Sequence, residues 1–124
     1  NSLNNTWRII DRPINRKYSQ EEMRLLLMVV NINEAKSIKN VFLNVLFDDD
    51  RLNIRADERT WQAMIPNRHY FVKLGDISSG QGIHPNGNLF IKFPKPGVYK
   101  VSYVINGEDF RTLSGDFRIV LRGN

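Results

Sequence analysis

The stretch Lys95 to Tyr103, reading Lys-Pro-Gly-Val-Tyr-Lys-Val-Ser-Tyr, constrains the fold more tightly than any other part of the chain. Pro96 presets φ for the second place of a tight turn, and Gly97 supplies the positive φ that a type II turn demands next. Beyond the turn, Tyr99, Val101, Tyr103 and Ile105 fall on one face at period two. Lys100 and Ser102 fall on the other face, with Val98 and Val104 at its ends. The pattern predicts a core β-strand with a sharply defined start.

The same periodicity recurs along the chain. Trp7 to Ile14 reads as a first strand ended at Pro13, where a proline suits an edge or a strand end. Val41, Leu43, Val45 and Phe47 alternate with Asn40, Phe42, Asn44 and Leu46, and Asp48-Asp49-Asp50 stops that strand. Leu52 to Arg55 reads as a short edge strand. Thr60 to Ile65 is expected to turn Trp61, Ala63 and Ile65 to one side, and His69 to Leu74 to turn Tyr70, Val72 and Leu74 inward. A long irregular segment, Gly75 to Asn88, holds four of the eight glycines. Its Asn86-Gly87 pair signals a turn into the strand Leu89 to Phe93. Asn106-Gly107 marks another turn, and Asp116 to Arg122 closes the domain with Phe117, Ile119 and Leu121 on one face.

One segment supports two readings. Ser19-Gln20-Glu21-Glu22 has the form of a capping box ahead of the apolar run Met23 to Ile32, which argues for a short helix. Against this, Val29, Val30 and Ile32 are β-branched and the run is apolar on both sides. A central strand covered on both faces accounts for that better.

A chain of 124 residues suits one domain spanning residues 1–124, long enough to bury a core without staples. There is no cysteine, which removes disulfide scaffolds, thiol catalysis and cysteine-ligated metal sites. No apolar run approaches the ~20 residues of a membrane-spanning helix. The start at Asn1, with neither methionine nor a signal-like segment, reads as a fragment of a longer chain.

The chemistry-bearing residues are sparse. His69 and His84 are the only two histidines, and a catalytic zinc site needs three protein ligands, so no metal and no other cofactor is expected. The three consecutive aspartates lack the ligand-and-spacer alternation of a calcium loop and read as a solvated turn. Gly80-Gln81-Gly82 lacks the order of a phosphate-binding loop, and no serine sits in a nucleophile elbow, so no catalytic residue is assigned. A loop of the length of 75–88 on a rigid scaffold is a candidate contact region, with Gln81, His84 and Asn86 as its polar contacts. The net charge of +5 leaves room for an anionic ligand such as a nucleotide, nucleic acid or acidic lipid. Arg8, Arg12, Arg16 and Lys17 would form the attracting group.

Gly97-Val98-Tyr99-Lys100-Val101 resembles the start of strand F in immunoglobulin-like sandwiches, where a tyrosine turns its hydroxyl back to upstream backbone as a tyrosine corner. Val101 stands where antibody domains carry their second cysteine, and Leu27 or Val29 would face it. The run Met23 to Phe47, followed late in the chain by the Pro-Gly-x-Tyr strand, resembles bacterial adhesion-type (CARDB-like) extracytoplasmic domains. The resemblance implies an all-β, immunoglobulin-like antiparallel β-sandwich of seven to nine strands. It also implies a non-catalytic interaction or spacer module of a larger, membrane-anchored or secreted protein, at the cell surface or otherwise extracytoplasmic. Its partner would be another protein or another domain of the same chain. Tyr99→Phe is expected to cost about 1–3 kcal/mol if the hydroxyl makes a buried bond. Unchanged denaturation midpoints would remove the tyrosine corner.

Overall fold

A computed structural model describes residues 7–9 through their backbone, and residues 14–110 and 112–123 in full. The described residues form strands and no helix: β1 (Trp7–Ile9), β2 (Ile14–Lys17), β3 (Met23–Leu25), β4 (Val29–Asn31), β5 (Ile38–Phe47), β6 (Asn53–Ala56), β7 (Gln62–Ile65), β8 (His69–Ile77), β9 (Gly82–Ile83), β10 (Leu89–Lys92), β11 (Gly97–Asn106) and β12 (Leu113–Arg122). One sheet has six strands in the order β2-β12-β11-β5-β8-β7. Two three-stranded sheets, β1-β4-β9 and β3-β10-β6, supply the other layer. Their inward side chains and those of the large sheet merge into one core that includes Leu25, Val29, Leu43, Ile91, Val101 and Ile119. Leu27, Val29 and Val101 all lie in this core.

The architecture is the predicted all-β sandwich, with twelve segments among the described residues rather than seven to nine, because Met23 to Asn31 is broken at residues 26–28 and β2 and β9 are additional short strands. On either side of that break the segment pairs with different partners, β10 through β3 and β1 and β9 through β4. Pairing is antiparallel throughout except where β2 lies parallel to β12, from Ile14 beside Ile119 to Lys17 beside Arg122. The strand expected over Trp7 to Ile14 appears as β1; residues 10–13, with Pro13, lie outside the described residues.

The helix alternative for Met23 to Ile32 fails for a physical reason. Ser19 Oγ accepts a hydrogen bond from the Glu21 amide at 3.1 Å, a local turn rather than a helix cap. Met23, Leu25, Leu27 and Val29 are buried while Arg24 and Leu26 are exposed, so the period is two. Leu26 and Ile32 are 55% and 40% exposed, which corrects the expectation that both faces of the run are covered.

Tyr99 makes the expected corner. Its hydroxyl donates to the Lys95 carbonyl at 2.5 Å, and its ring lies 4.7 Å from that of Phe93. Burial pushes the phenol above its ordinary pKa. The turn before it is not type II: Gly97 has φ of 158°, far from the ~80° of that turn. Gly97 is already the first residue of β11, paired with Leu121.

The segment 75–88 is far more ordered than its glycines suggest. β8 runs on to Ile77, and β9 pairs Gly82 with Val30 and Ile83 with Val29. Asn31, wholly buried, ties this region to the rest. Its Nδ2 donates to the carbonyls of Lys36 at 2.9 Å and Ile77 at 3.0 Å, and its Oδ1 accepts from the Asn33 amide at 2.9 Å. Its backbone amide donates to the Gln81 carbonyl, and its own carbonyl accepts from the Gly80 amide, both at 2.9 Å. One residue thus closes the turn after β4 and the end of β8 with its side chain, and the turn into β9 with its backbone. Asn31→Leu keeps the volume and removes every side-chain bond, leaving three buried or half-buried backbone groups without this partner. It is expected to cost about 2–4 kcal/mol, read as a fall in the urea midpoint at unchanged m-value.

Candidate functional site

The predicted contact residues of the 75–88 segment do not converge. Gln81 is exposed and uses its backbone to bond Asn31 and Ser78. His84 Nδ1 donates to the Leu27 carbonyl at 2.9 Å, so its ring straps the broken strand rather than reaching outward through that nitrogen. Asn86 is exposed on the turn before β10. Trp61 holds that turn in place: its indole N–H donates to the Gly87 carbonyl at 2.9 Å in a buried bond. An added Cβ at Gly87 would come within 2.5 Å of Asp57 Cβ, so this position demands glycine on steric grounds. An apolar hollow of about 190 Å³ lies alongside, lined by Leu25, Leu26, Leu27, Trp61, His84 and Pro85 among others.

The basic group is not brought to this region either. Arg16 and Lys17 are exposed on β2, at the opposite end of the sheet order from β7 and β8. Arg12 and the side chain of Arg8 lie outside the described residues. The aspartate run is a turn in which Arg51 forks onto Asp49, with Nε–Oδ1 at 3.0 Å and Nη2–Oδ2 at 2.6 Å. That pair draws the Asp49 carboxyl below its ordinary pKa. No group of three or more His, Asp or Glu side chains that could hold a metal occurs among the described residues.

The outer face of the six-stranded sheet carries a constellation that the sequence reading did not single out. Positions that face solvent at period two include Phe42, Asn44 and Leu46 on β5, His69, Phe71 and Lys73 on β8, and Val98, Lys100, Ser102 and Val104 on β11. The rings of Phe42 and Phe71 meet at 5.4 Å. His69 Nε2 and Asn44 Oδ1 are 2.7 Å apart, an arrangement that holds the imidazole flat to the neighbouring strand. Leu46 is 36% and Val98 62% exposed. At the free edge, all of β7 is exposed, including Met64 at 50% and Ile65 at 56%. Trp61 alone of the expected inward set is buried there; Ala63 and Ile65 are not, because an edge strand beyond β8 has no layer beneath it. On the opposite layer the exposed aromatic is covered instead: the Arg55 guanidinium lies 4.2 Å over the Phe90 ring and pairs with Glu22 at 2.9 Å.

On the large sheet, Lys100 and Arg118 line a hollow of about 590 Å³ together with Asp48, Asp49, Asp50 and Arg51. Lys100 and Arg118 are direct cross-strand neighbours, and neither is in an ion pair among the described residues. Like charges directly opposite one another destabilise a sheet. Asp116 lies beside Ser102 on the same strand pair. The signal in the sequence was present: bulky apolar residues at Phe42, Leu46, Phe71, Val98 and Val104 stand at positions whose neighbours at period two already fill the core.

No family profile matches the chain, and no curated protein matches it by sequence. Two solved structures share its fold. The cohesin of a type I cohesin–dockerin complex from Clostridium thermocellum superposes with a TM-score of 0.58 at 8% identity, over 94% of this chain and 99% of the cohesin chain. The seventh ScaB type I cohesin from Pseudobacteroides cellulosolvens gives 0.60 at 12% identity, over 95% and 93%. At these identities the likeness is one of fold.

Trp61→Phe keeps the ring in the core and deletes the bond to Gly87. Hydrogen exchange at residues 86–89 is expected to quicken, with a stability loss of about 1–2 kcal/mol; unchanged protection there would remove the pinning role.

Proposed function

We propose that this domain is a non-catalytic protein-interaction module that docks through the outer face of its six-stranded sheet. The observation that carries the reading is the apolar strip of Phe42, Leu46, Phe71 and Val104, flanked by Lys73, Lys100 and Arg118. Antiparallel sheets with one face in water normally alternate apolar-in and polar-out. A contiguous exposed apolar patch with a charged rim marks an interaction site. Lys73, in no ion pair among the described residues, favours an acidic group on the partner at that side of the strip, since complementary charge fixes register and speeds encounter.

The shared fold supports the same kind of role: the Clostridium thermocellum neighbour is the cohesin half of a cohesin–dockerin complex. The finer parts of the reading are that the module belongs to a larger, membrane-anchored or secreted bacterial protein and resembles CARDB-like adhesion domains. They rest on the Pro-Gly-x-Tyr strand and on the bacterial source of both neighbours. A spacer role, in which the sheet face contacts another domain of the same chain, uses the same surface.

Phe42→Ser and Leu46→Ser test the face directly, because both side chains lie outside the core. Each variant is expected to leave the thermal midpoint within about 3 °C, since a surface change is within about 0.5 kcal/mol. In affinity capture from the source organism's secreted and envelope proteins, the partner recovered by the wild-type domain is expected to weaken more than tenfold with either variant. A partner retained equally by both would show that docking occurs elsewhere.

A further inference from the structure

At the β7 edge the outer face ends in a cleft of about 320 Å³ lined by Arg59, Thr60, Gln62, Phe71, Lys73 and Asn86. Its composition differs from that of the apolar strip beside it. Two cations, two amides, one hydroxyl and one aromatic ring meet with no carboxylate among the lining residues. Neither Arg59 nor Lys73 forms an ion pair among the described residues. The nearby Asp57 carboxylate is turned into its own turn, where Oδ1 accepts from the Arg59 amide at 3.0 Å.

The walls of the cleft are fixed before anything binds. Thr60 and Trp61 amides both donate to the Asp57 carbonyl, at 3.0 and 2.8 Å, and the Asp57 amide donates to the Asn88 carbonyl at 3.3 Å. With the Trp61–Gly87 bond, these tie the 57–61 turn to the 86–88 turn. Phe71 is held from the other side by the Phe42 ring and stands opposite Gln62 across the β7–β8 pair. A preorganised site loses less on binding than one that must be ordered.

These residue types match one kind of ligand. An aromatic ring gives an apolar C–H face something to lie on. Each side-chain amide offers both donors and an acceptor, and a hydroxyl does the same, which suits adjacent hydroxyl groups. Arg59 and Lys73 suit a carboxylate, through charge-assisted hydrogen bonds. The volume is at the low end of small-ligand sites, enough for a compact polar ring rather than a folded surface. Peptides added to a sheet are recognised chiefly through main-chain bonds along an edge; here the lining is rich in side-chain donors and acceptors instead. We propose that the cleft binds an acidic sugar, a hexuronate residue within a polysaccharide. The cleft shares Phe71 and Lys73 with the edge of the docking strip, so a glycan held there would lie beside, and partly compete with, a protein on the sheet face.

The test is a titration of isotopically labelled domain by amide-resolved NMR with tetragalacturonate, with cellotetraose as the neutral sugar and N-acetylated tetraglutamate as the acidic peptide. Tetragalacturonate is expected to give saturable shifts centred on residues 59–62, 71–73 and 86, with cellotetraose and the peptide each at least tenfold weaker. Arg59→Gln and Lys73→Gln are each expected to weaken tetragalacturonate binding about five- to tenfold, and Phe71→Leu to weaken it comparably, while shifts elsewhere in the spectrum stay in place. Equal binding of cellotetraose would overturn the carboxylate requirement. Equal or tighter binding of the tetraglutamate would make this an acidic-peptide site, and absence of saturation by tetragalacturonate would remove the site altogether. Leu46 does not line the cleft, so Leu46→Ser is expected to leave tetragalacturonate binding unchanged and tests the docking reading separately.

Discussion

The buried amide of Asn31 is the interaction on which the arrangement of this sandwich depends. A polar side chain fully removed from water is tolerated only when its hydrogen-bonding capacity is met. Asn31 meets it through the turn that follows it, at Asn33 and Lys36, and through Ile77, 46 residues away. Because the amide donates twice and its oxygen accepts, the turn after β4 and the end of β8 are fixed relative to one another and not merely brought close. The turn of residues 33–36 closes further through Asn33 Oδ1, which accepts from the Ala35 and Lys36 amides at 2.9 Å. The same network explains why a glycine-rich stretch is ordered: Gly80 and Gln81 are held by the backbone of Asn31, so the following residues arrive in register with β4.

The large sheet has two faces that were filled by the same rule with different outcomes. On the inner face, Tyr103 lies over Gly115 so closely that a Cβ there would sit 2.6 Å from the phenolic oxygen, and the ring occupies the space a side chain would take. At the start of β5 the ladder with β8 slips: Asn40 has φ of 54°, and Gly75, the partner of the following Val41, has φ of 78°. The Asn40 amide bonds Asp76 Oδ1 and its side chain bonds Glu108, so the slip is stitched on both sides. On the outer face, Phe42 and Phe71 cover one another only in part, and Leu46 is 36% exposed. Arg55 and Glu22 show that the chain can close an aromatic with a charged fork where no contact is needed. The two layers thus differ in how their outward aromatics are packed.

Much of the fold was legible from periodicity. The alternation of Tyr99, Val101, Tyr103 and Ile105, and of Val41, Leu43, Val45 and Phe47, reports directly which side chains leave water, because a strand offers only two faces. The tyrosine corner was readable for the same local reason, since donor and acceptor are four residues apart. The Pro96-Gly97 turn was misjudged because glycine permits a wide range of φ, and pairing with β12 drew Gly97 into an extended conformation instead. The site was less legible. Gln81, His84 and Asn86 looked like free polar contacts on a long loop, yet two of the three bond to strand β4 or to the break before it. Their partners, Asn31 and Leu27, are about fifty residues away and carry no mark of the pairing.

By itself, then, the sequence determined that this protein is an all-β sandwich, which residues form most of its core strands, and that β11 begins at a tyrosine corner. These follow from local geometry and from a two-fold side-chain period. Only the tertiary structure decided that β2 runs parallel to β12, that Asn31 locks the glycine-rich segment, and that one sheet face stays apolar and open while a cationic cleft forms at its edge. Those features depend on which strands become neighbours. Strand order is set by contacts between residues far apart in the chain, whose energies no single stretch of sequence contains.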